Sequence, residues 1–343
     1  MAEAAASAKG LAPSARAGGL VVLAGLLVAV LVLSIAVGAR AIPLSDVWSA
    51  LVAFDPSQTN HRIILDLRLP RTLVGLLVGA ALGLSGAILQ GATRNPLADP
   101  GILGINAGAT LCVVLGISVF GITQLSGYVW LAFLGAGGTT VAVYLIASLG
   151  REGATPVKLA LAGAAVTAAL TSVTSAILIT SVETLDQIRF WQVGALTGRT
   201  NEILLQVTPF ILAGIVLALA TSRILDGLAL GDDVARGLGM KVQRSRALVG
   251  LAAVILAGAA TAAAGPIAFV GLTVPHVARA FTGPNYRWLL PYSMLLAPVM
   301  QLGADIVGRV IVPPGELQVG IVTAALGAPF FIALVRRRKL AEL

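Results

Sequence analysis

Arg68 and Arg71 stand three residues apart in "RLPR", just before a long apolar run, and Arg309 closes another such run with Asp305 one helical turn earlier. A guanidinium carries five donors in a planar fork that matches a carboxylate. At helix ends near a membrane surface such groups either anchor the helix by snorkelling or receive the carboxylates of an acidic partner, and residue chemistry leaves both open. The Asp305 to Arg309 spacing suits a local ion pair. A second charged group lies in "LGDDVARGLGM": Asp232 and Asp233 suit a helix start, Arg236 follows Asp232 by four, and Gly239 supplies a stop. By itself this reads as a small surface helix. Thr167, Thr171, Ser172, Thr174 and Ser175 put hydroxyls along one apolar run, where such groups either satisfy neighbouring backbone or line a polar path.

Several chemistries have no residues to perform them. None of the four lysines, Lys9, Lys158, Lys241 and Lys339, follows a glycine, so there is no Gly-Lys-Ser/Thr phosphate loop, and nucleotide energy has to come from another chain. There is no His-Glu-x-x-His helix and no Gly-x-Ser-x-Gly elbow. One cysteine, Cys112, and two distant histidines, His61 and His276, make neither an intrachain disulfide nor a thiolate or imidazole metal cluster. His276, in "TVPHVAR", reads as structural and not as an axial haem ligand. Most apolar runs have uncharged centres, which argues against an ion-coupled secondary transporter, the alternative from another class. A membrane-embedded enzyme would need a convergent acid-base set, and none is visible.

The elements that must position these residues follow from composition. The 343 residues are 57% hydrophobic and 11% charged, with a mean hydropathy of +0.95. Soluble domains carry about 25% charge, so a soluble globular protein is excluded. Continuous apolar runs of about 20 residues, without the alternation of barrel strands, predict an all-α polytopic membrane protein. Crossings are expected near 18–39, 72–91, 101–120, 127–149, 157–181, 202–222, 247–264, 266–281, 289–310 and 316–335. The eighth is short and contains Pro275, so a broken or partial helix is expected there. Residues 1–17 form a tail, 18–335 a single transmembrane domain whose first helix is retained, and 336–343 a second tail.

Within that domain, the outer loop 40–67 carries an amphipathic pattern (Val47, Trp48, Leu51, Val52) opened by Ser45 and Asp46. The inner segment 223–246 holds the "LGDDVARGLGM" group. Of the 23 basic residues, Arg40, Arg62, Arg68, Arg71, Arg189, Arg199 and Arg309 fall on one side. The others, including Lys9, Arg94, Arg151, Arg236, Arg246 and the tail Arg336, Arg337, Arg338 and Lys339, fall on the opposite side. Positive-inside bias then places both termini in the cytoplasm, and the formal charge of +8 reports orientation, not nucleic-acid binding. Gly75, Gly79 and Gly83, and likewise Gly104 and Gly108, repeat every four residues, as helices packed closely in lipid require.

Five blocks in order, "RLPRTLVGLLVGAALGLSGAILQGATRNPLADPGILGINAGA", "LALGDDVARGLGM", "GPIAFVGLTVPHVAR", "ADIVGR" and "GELQVGIVTAALGAPFFIALV", resemble permease subunits of ATP-binding-cassette importers for ferric siderophores, haem and vitamin B12, the FecCD type. The resemblance runs from about residue 40 to the end. It implies a type II importer permease fold in a bacterial cell membrane. The implied partners are a second permease subunit, identical or paralogous, two cytosolic nucleotide-binding subunits that hold ATP and Mg, an extracytoplasmic binding protein, and lipid. It implies no cofactor in this chain. Ferric siderophore is the first expectation for the cargo, with haem or vitamin B12 the alternatives. It assigns Arg68, Arg71 and Arg309 to binding-protein docking, and Asp232, Asp233, Ala235, Arg236, Leu238 and Gly239 to ATPase coupling. Asn95 and Leu97 match an inner constriction, and Pro156 and Val157 align with a second one, where a Pro-Val pair departs from the small polar residues of the vitamin B12 importer. Thr167 and Thr171 lie on the crossing that lines the cavity in relatives.

Overall fold

The computed structural model describes residues 12–38, 40–149, 155–313 and 315–337. The expectations for Lys9, Arg151, Arg338 and Lys339 lie outside the described residues, as do most of both tails. Among the described residues the chain is helical with no strand. The helices are α1 (Pro13–Ala36), α2 (Leu44–Val52), α3 (Thr59–Thr93), α4 (Ile105–Phe120), α5 (Leu125–Ser148), α6 (Pro156–Thr180) and α7 (Val182–Gln192). They continue as α8 (Asn201–Ala220), α9 (Ser222–Ala229), α10 (Asp232–Gly237), α11 (Val242–Ala264), α12 (Val270–Thr282), α13 (Tyr286–Val310) and α14 (Val319–Arg337). Helices α1, α3, α5, α6, α8, α11 and α13 are long and apolar enough to cross a membrane on their own. Helices α4 and α14 are shorter apolar helices, so nine of the ten expected runs fall on them and the seven long ones.

The tenth run is the eighth in sequence, and it is broken. Its helix, α12, has 13 residues, a length of about 20 Å against a hydrocarbon thickness of about 30 Å. Residues 265–269 ahead of it are not helical, and both Gly265 (φ 77°) and Phe269 (φ 69°) take left-handed conformations. The carbonyl of Ala264 that this break frees is met by the backbone N–H of Ala195 at 2.7 Å, as non-helical backbone at membrane depth requires.

Helix α3 is the centre of the bundle, packed against α13, α11, α12 and α8, and it is the most enclosed of the seven long helices. Its glycine stripe explains how. A Cβ at Gly79 would stand 2.6 Å from the Cα of Pro298 on α13, and one at Gly83 would stand 2.6 Å from the carbonyl oxygen of Ser293. At Gly86 a Cβ would run into the carbonyl of Gly271 at the start of α12. Lipid provides no hydrophobic drive for helix association, so backbone approach through small residues supplies the dispersion contacts instead.

Two segments differ from expectation. The outer loop is shorter than 40–67, because helix begins at Thr59, passes through a π-helical stretch at Ile63–Arg68 and continues without interruption into α3. Helix α2 is present, but Pro43 stands at its N-cap and Ser45 caps nothing; the Ser45 hydroxyl meets Asp46. Val47 and Ala50 of α2 pack on Ile42 and Ile64, leaving Trp48, Leu51 and Val52 outward, as an interfacial helix requires. Helix α7, which the apolar pattern did not reveal, starts where the Ser181 hydroxyl accepts from the N–H of Thr184 at 3.3 Å.

Gly86→Val is expected to destabilise the bundle by about 1–3 kcal/mol or more, because the obstacle is backbone that cannot step aside. Gly250→Ala, at a helical position with open space around it, is expected to be neutral or mildly stabilising. Apparent Tm of the detergent-solubilised chain, followed by size-exclusion chromatography after heating, separates the two.

Candidate functional site

At the end of the bundle where α3 begins, four charged side chains form one network. Asp305 on α13 is wholly buried and lies between two arginines. Arg71 of α3 donates to it from Nη2 at 2.8 Å and from Nε at 3.1 Å, and Arg309 donates from Nε at 2.9 Å and also from Nη2. The expected Asp305–Arg309 pair therefore forms, with Arg71 added. The Nη1 of Arg71 reaches Glu316 at 2.8 Å, and the Thr197 hydroxyl donates to the same oxygen at 3.2 Å. Arg309 also donates to the carbonyl and hydroxyl of Ser34 on α1, and that hydroxyl meets Thr72 at 2.8 Å. Arg68 donates to the carbonyls of Ile35 and Ala36 at the end of α1 and to that of Arg40 just beyond it.

The structure thus brings Arg68, Arg71 and Arg309 to one end, but turns them inward. Arg309 is 2% exposed and Arg68 8%. None of these three guanidinium groups stands free for a partner. The reason is physical: a carbonyl or carboxylate within reach at a membrane boundary satisfies a buried cation better than thinly hydrated surface does.

Along α6 lies a groove of about 820 Å³, lined by Thr167, Thr171, Ser172 and Ser175, by Ala160, Ala164 and Ala168, and by Asp99, Gly101 and Ile102. The seven α6 residues recur at helical spacing and are all small, so they leave room along the helix, and hydroxyls wet it. Thr174 faces the other way, buried and bonded to the carbonyl of Leu170. Thr167 and Thr171 thus lie on this groove. Asn95, Leu97 and Val157 are not among the described lining residues. Asn95 instead makes a turn, its side-chain oxygen accepting from the N–H of Leu97 at 2.9 Å, and Pro156 opens α6 after the Thr155 cap. The residue of "RNPLADP" that reaches the groove is Asp99. Its carboxylate accepts from the N–H of Gly101 at 2.8 Å, starting a short 3-10 turn at Pro100–Leu103. Burial pushes its pKa above the usual carboxylate range, with the Gly101 N–H opposing.

At the far end, α9 and α10 form a foot. Ala235 packs with Leu228 and Val242 in a small core of its own, so it shapes the foot from inside. Asp232 lies only 3.9 Å from Arg236, but Arg246 holds it with two bonds of 2.8 and 2.9 Å, and Arg94 stands at 3.4 Å. Arg94, in a left-handed conformation (φ 52°) at the end of α3, thereby ties the groove loop to the foot. Asp233 and Arg236 are outward and pair at 3.0 Å, Leu238, Leu230 and Val234 are exposed, and Gly239 (φ 81°) ends the segment. Asp99, Glu316 and Arg246 were not distinguishable as site residues in the sequence, although Glu316 lies inside the "GELQVG" block.

A polytopic helical bundle that offers a polar groove and a protruding foot defines a membrane permease. Comparison with known proteins gives the family. The chain belongs to the FecCD transport family, which it matches over residues 26–337. It is 47% identical over 317 residues to the ferric enterobactin transport system permease protein FepD of Escherichia coli K12, covering 91% of this chain and 93% of the relative. It is 44% identical over 305 residues to the Fe(3+)-citrate import system permease protein YfmD of Bacillus subtilis 168, covering 89% and 90%. A solved structure described as an inward-facing metal-chelate type ABC transporter superposes with a TM-score of 0.82 at 31% identity, over 94% of this chain and 100% of the other.

Asp99→Asn keeps the turn-capping oxygen and removes a half-buried charge, so thermal stability at neutral pH is expected to hold or rise. Asp99→Ala loses the cap and is expected to cost about 1 kcal/mol. The same heating assay, run on both variants, checks the pair.

Proposed function

We propose that this chain is the permease subunit of a ferric-siderophore importer, pairing with a second permease so that the groove along α6 becomes one wall of the cargo path. The observation that carries the reading is that groove: small residues and hydroxyls spaced along one face of a long membrane helix, with a carboxylate at its end. A lipid-facing helix has no use for such a face, and a pathway or subunit seam does. The iron-chelate names of the relatives at 47% and 44% identity support the cargo class. Haem and vitamin B12 share the family but are not named among those relatives.

In this reading both termini and the foot lie in the cytoplasm, supported by the excess of basic residues on that side. The foot seats on an ATPase subunit through exposed Leu230, Val234 and Leu238, ringed by Asp233 and Arg236. Asp232, held by Arg246 and Arg94, carries movement of the foot to the "RNPLADP" loop and so to the groove. ATP binding then shifts the bundle between two access states to the extent that the ATPase subunits grip the foot differently in each.

At the outer end an acidic binding protein docks by competing for Arg71. Of the three expected docking arginines, Arg71 has the replaceable partner, since Glu316 is a quarter exposed while Asp305 is enclosed. Arg68 and Arg309 hold α1 in place and act in docking by keeping that end rigid.

Leu238→Asp is expected to abolish cosedimentation of the ATPase subunit and ATP-driven uptake while membrane insertion stays intact; retained cosedimentation would refute the foot assignment. Arg71→Glu is expected to weaken capture of the binding protein at least about tenfold, because a like charge then faces its carboxylate. Capture on immobilised permease complex measures it, with Glu316→Gln, which frees Arg71, expected to hold or strengthen capture.

A further inference from the structure

Beside the arginine end lies a second cavity, of about 360 Å³, within the size range of small-molecule sites. Its polar lining includes Arg199, Trp191, Gln187 and Gln318 together with Thr123 and Thr197, and the rings of Tyr128 and Phe190 form much of its wall. Arg199 is 3% exposed, yet its Nε and Nη2 have no hydrogen-bond partner among the described residues. Its Nη1 makes one long contact, 3.5 Å, to the carbonyl of Thr197. No described carboxylate forms an ion pair with it. Burial and the nearby Arg71 charge push its pKa down to about 10, which leaves it cationic at neutral pH. Trp191 is 2% exposed, and its indole N–H likewise has no partner among the described residues. The side-chain oxygens of Gln187 and Gln318 are also unmatched, and an amide turned about its axis presents N–H in the oxygen's place.

Arg68, Arg71 and Arg309 show what the fold does with a guanidinium it uses internally: each is met by carbonyls or carboxylates. Arg199 is built differently. A cation enclosed without a counter-charge is costly, and one with unused donors beside an unused indole N–H has the donor set of an anion receptor.

We propose that this cavity binds one anionic oxygen group, with Arg199 as the charge partner and Trp191 as a neutral donor. Two sources share that chemistry, a free small carboxylate in the outer solution and an anionic oxygen of a metal chelate. The second source rests on the importer reading above, and the first does not.

The test uses the full chain purified in lipid nanodiscs with the subunits that accompany it, comparing wild type, Arg199→Gln, Arg199→Lys and Trp191→Phe. Apparent Tm is read against sodium acetate, ferric citrate as an anionic chelate and ferrichrome as a neutral one. A saturable rise in wild type, with half-saturation shifted at least about tenfold in R199Q, less in R199K and less still in W191F, is the expected result. Without anion, R199Q is expected to be as stable as wild type or more so, because a bare buried charge has been removed; a purely structural arginine would give the reverse. Protection by acetate alone assigns the site to a free anion. Protection by ferric citrate where equimolar acetate gives none assigns it to the chelate, and either result supports the proposal. No protection of wild type by either anion, equal protection of wild type and R199Q, or equal response to ferrichrome overturns it. ATP-dependent iron uptake is scored separately, so its loss bears on the importer reading while thermal protection decides the anion site.

Discussion

Asp305 is the point on which one end of the molecule depends. A single enclosed carboxylate accepts from Arg71 on α3 and Arg309 on α13, and Arg309 goes on to hold Ser34 on α1. Three helices and the loop carrying Glu316 are thereby fixed against one another where glycine packing gives way to the membrane boundary. Each ion is costly to bury alone; together they are satisfied, and removing Asp305 would strand both arginines. Arg68 does related work by covering the open carbonyls at the end of α1.

The same arrangement separates rigidity from exchange. Asp305 and Arg309 are sealed, while Glu316 is partly open, so a competitor for Arg71 meets a network that can change partners at its edge without losing its centre. At the other end the division recurs. Ala235, Leu228 and Val242 make a small interior for the foot, and Leu238 and Val234 face out. Asp232 is the joint, held by arginines from the end of α3 and the start of α11. A permease needs this division, because a movement imposed at one surface reaches the path only through elements that do not deform on the way.

Much of this was legible in the residues. Ten apolar runs became ten helices, the short run with Pro275 became the broken one, and the Gly75, Gly79, Gly83 stripe became the face on which α13 rests. The Thr167 and Thr171 hydroxyls lie on the groove. What lies across from a residue was not legible in the same way. Ala235 is a spacer inside the foot, Asn95 closes a turn, and Asp99, four positions on, reaches the groove. Helix α7 stayed hidden because its residues are mixed in polarity and its start depends on the Ser181 hydroxyl.

Hydropathy and small-residue spacing determined by themselves that this chain is a helical membrane bundle, because lipid leaves the backbone one open structure that spans without a partner strand and rewards only close helix contact. The family blocks determined its kinship. Tertiary structure alone decided which charges are spent and which are available. Arg71, Arg309 and Arg199 are alike as letters, but the first shares its charge with a partly exposed glutamate, the second is sealed against Asp305, and the third is enclosed beside a cavity without an ion pair to any described carboxylate. That difference is a matter of distance across the fold, from Arg71 to residues 305 and 316, and neighbours in sequence carry no record of it.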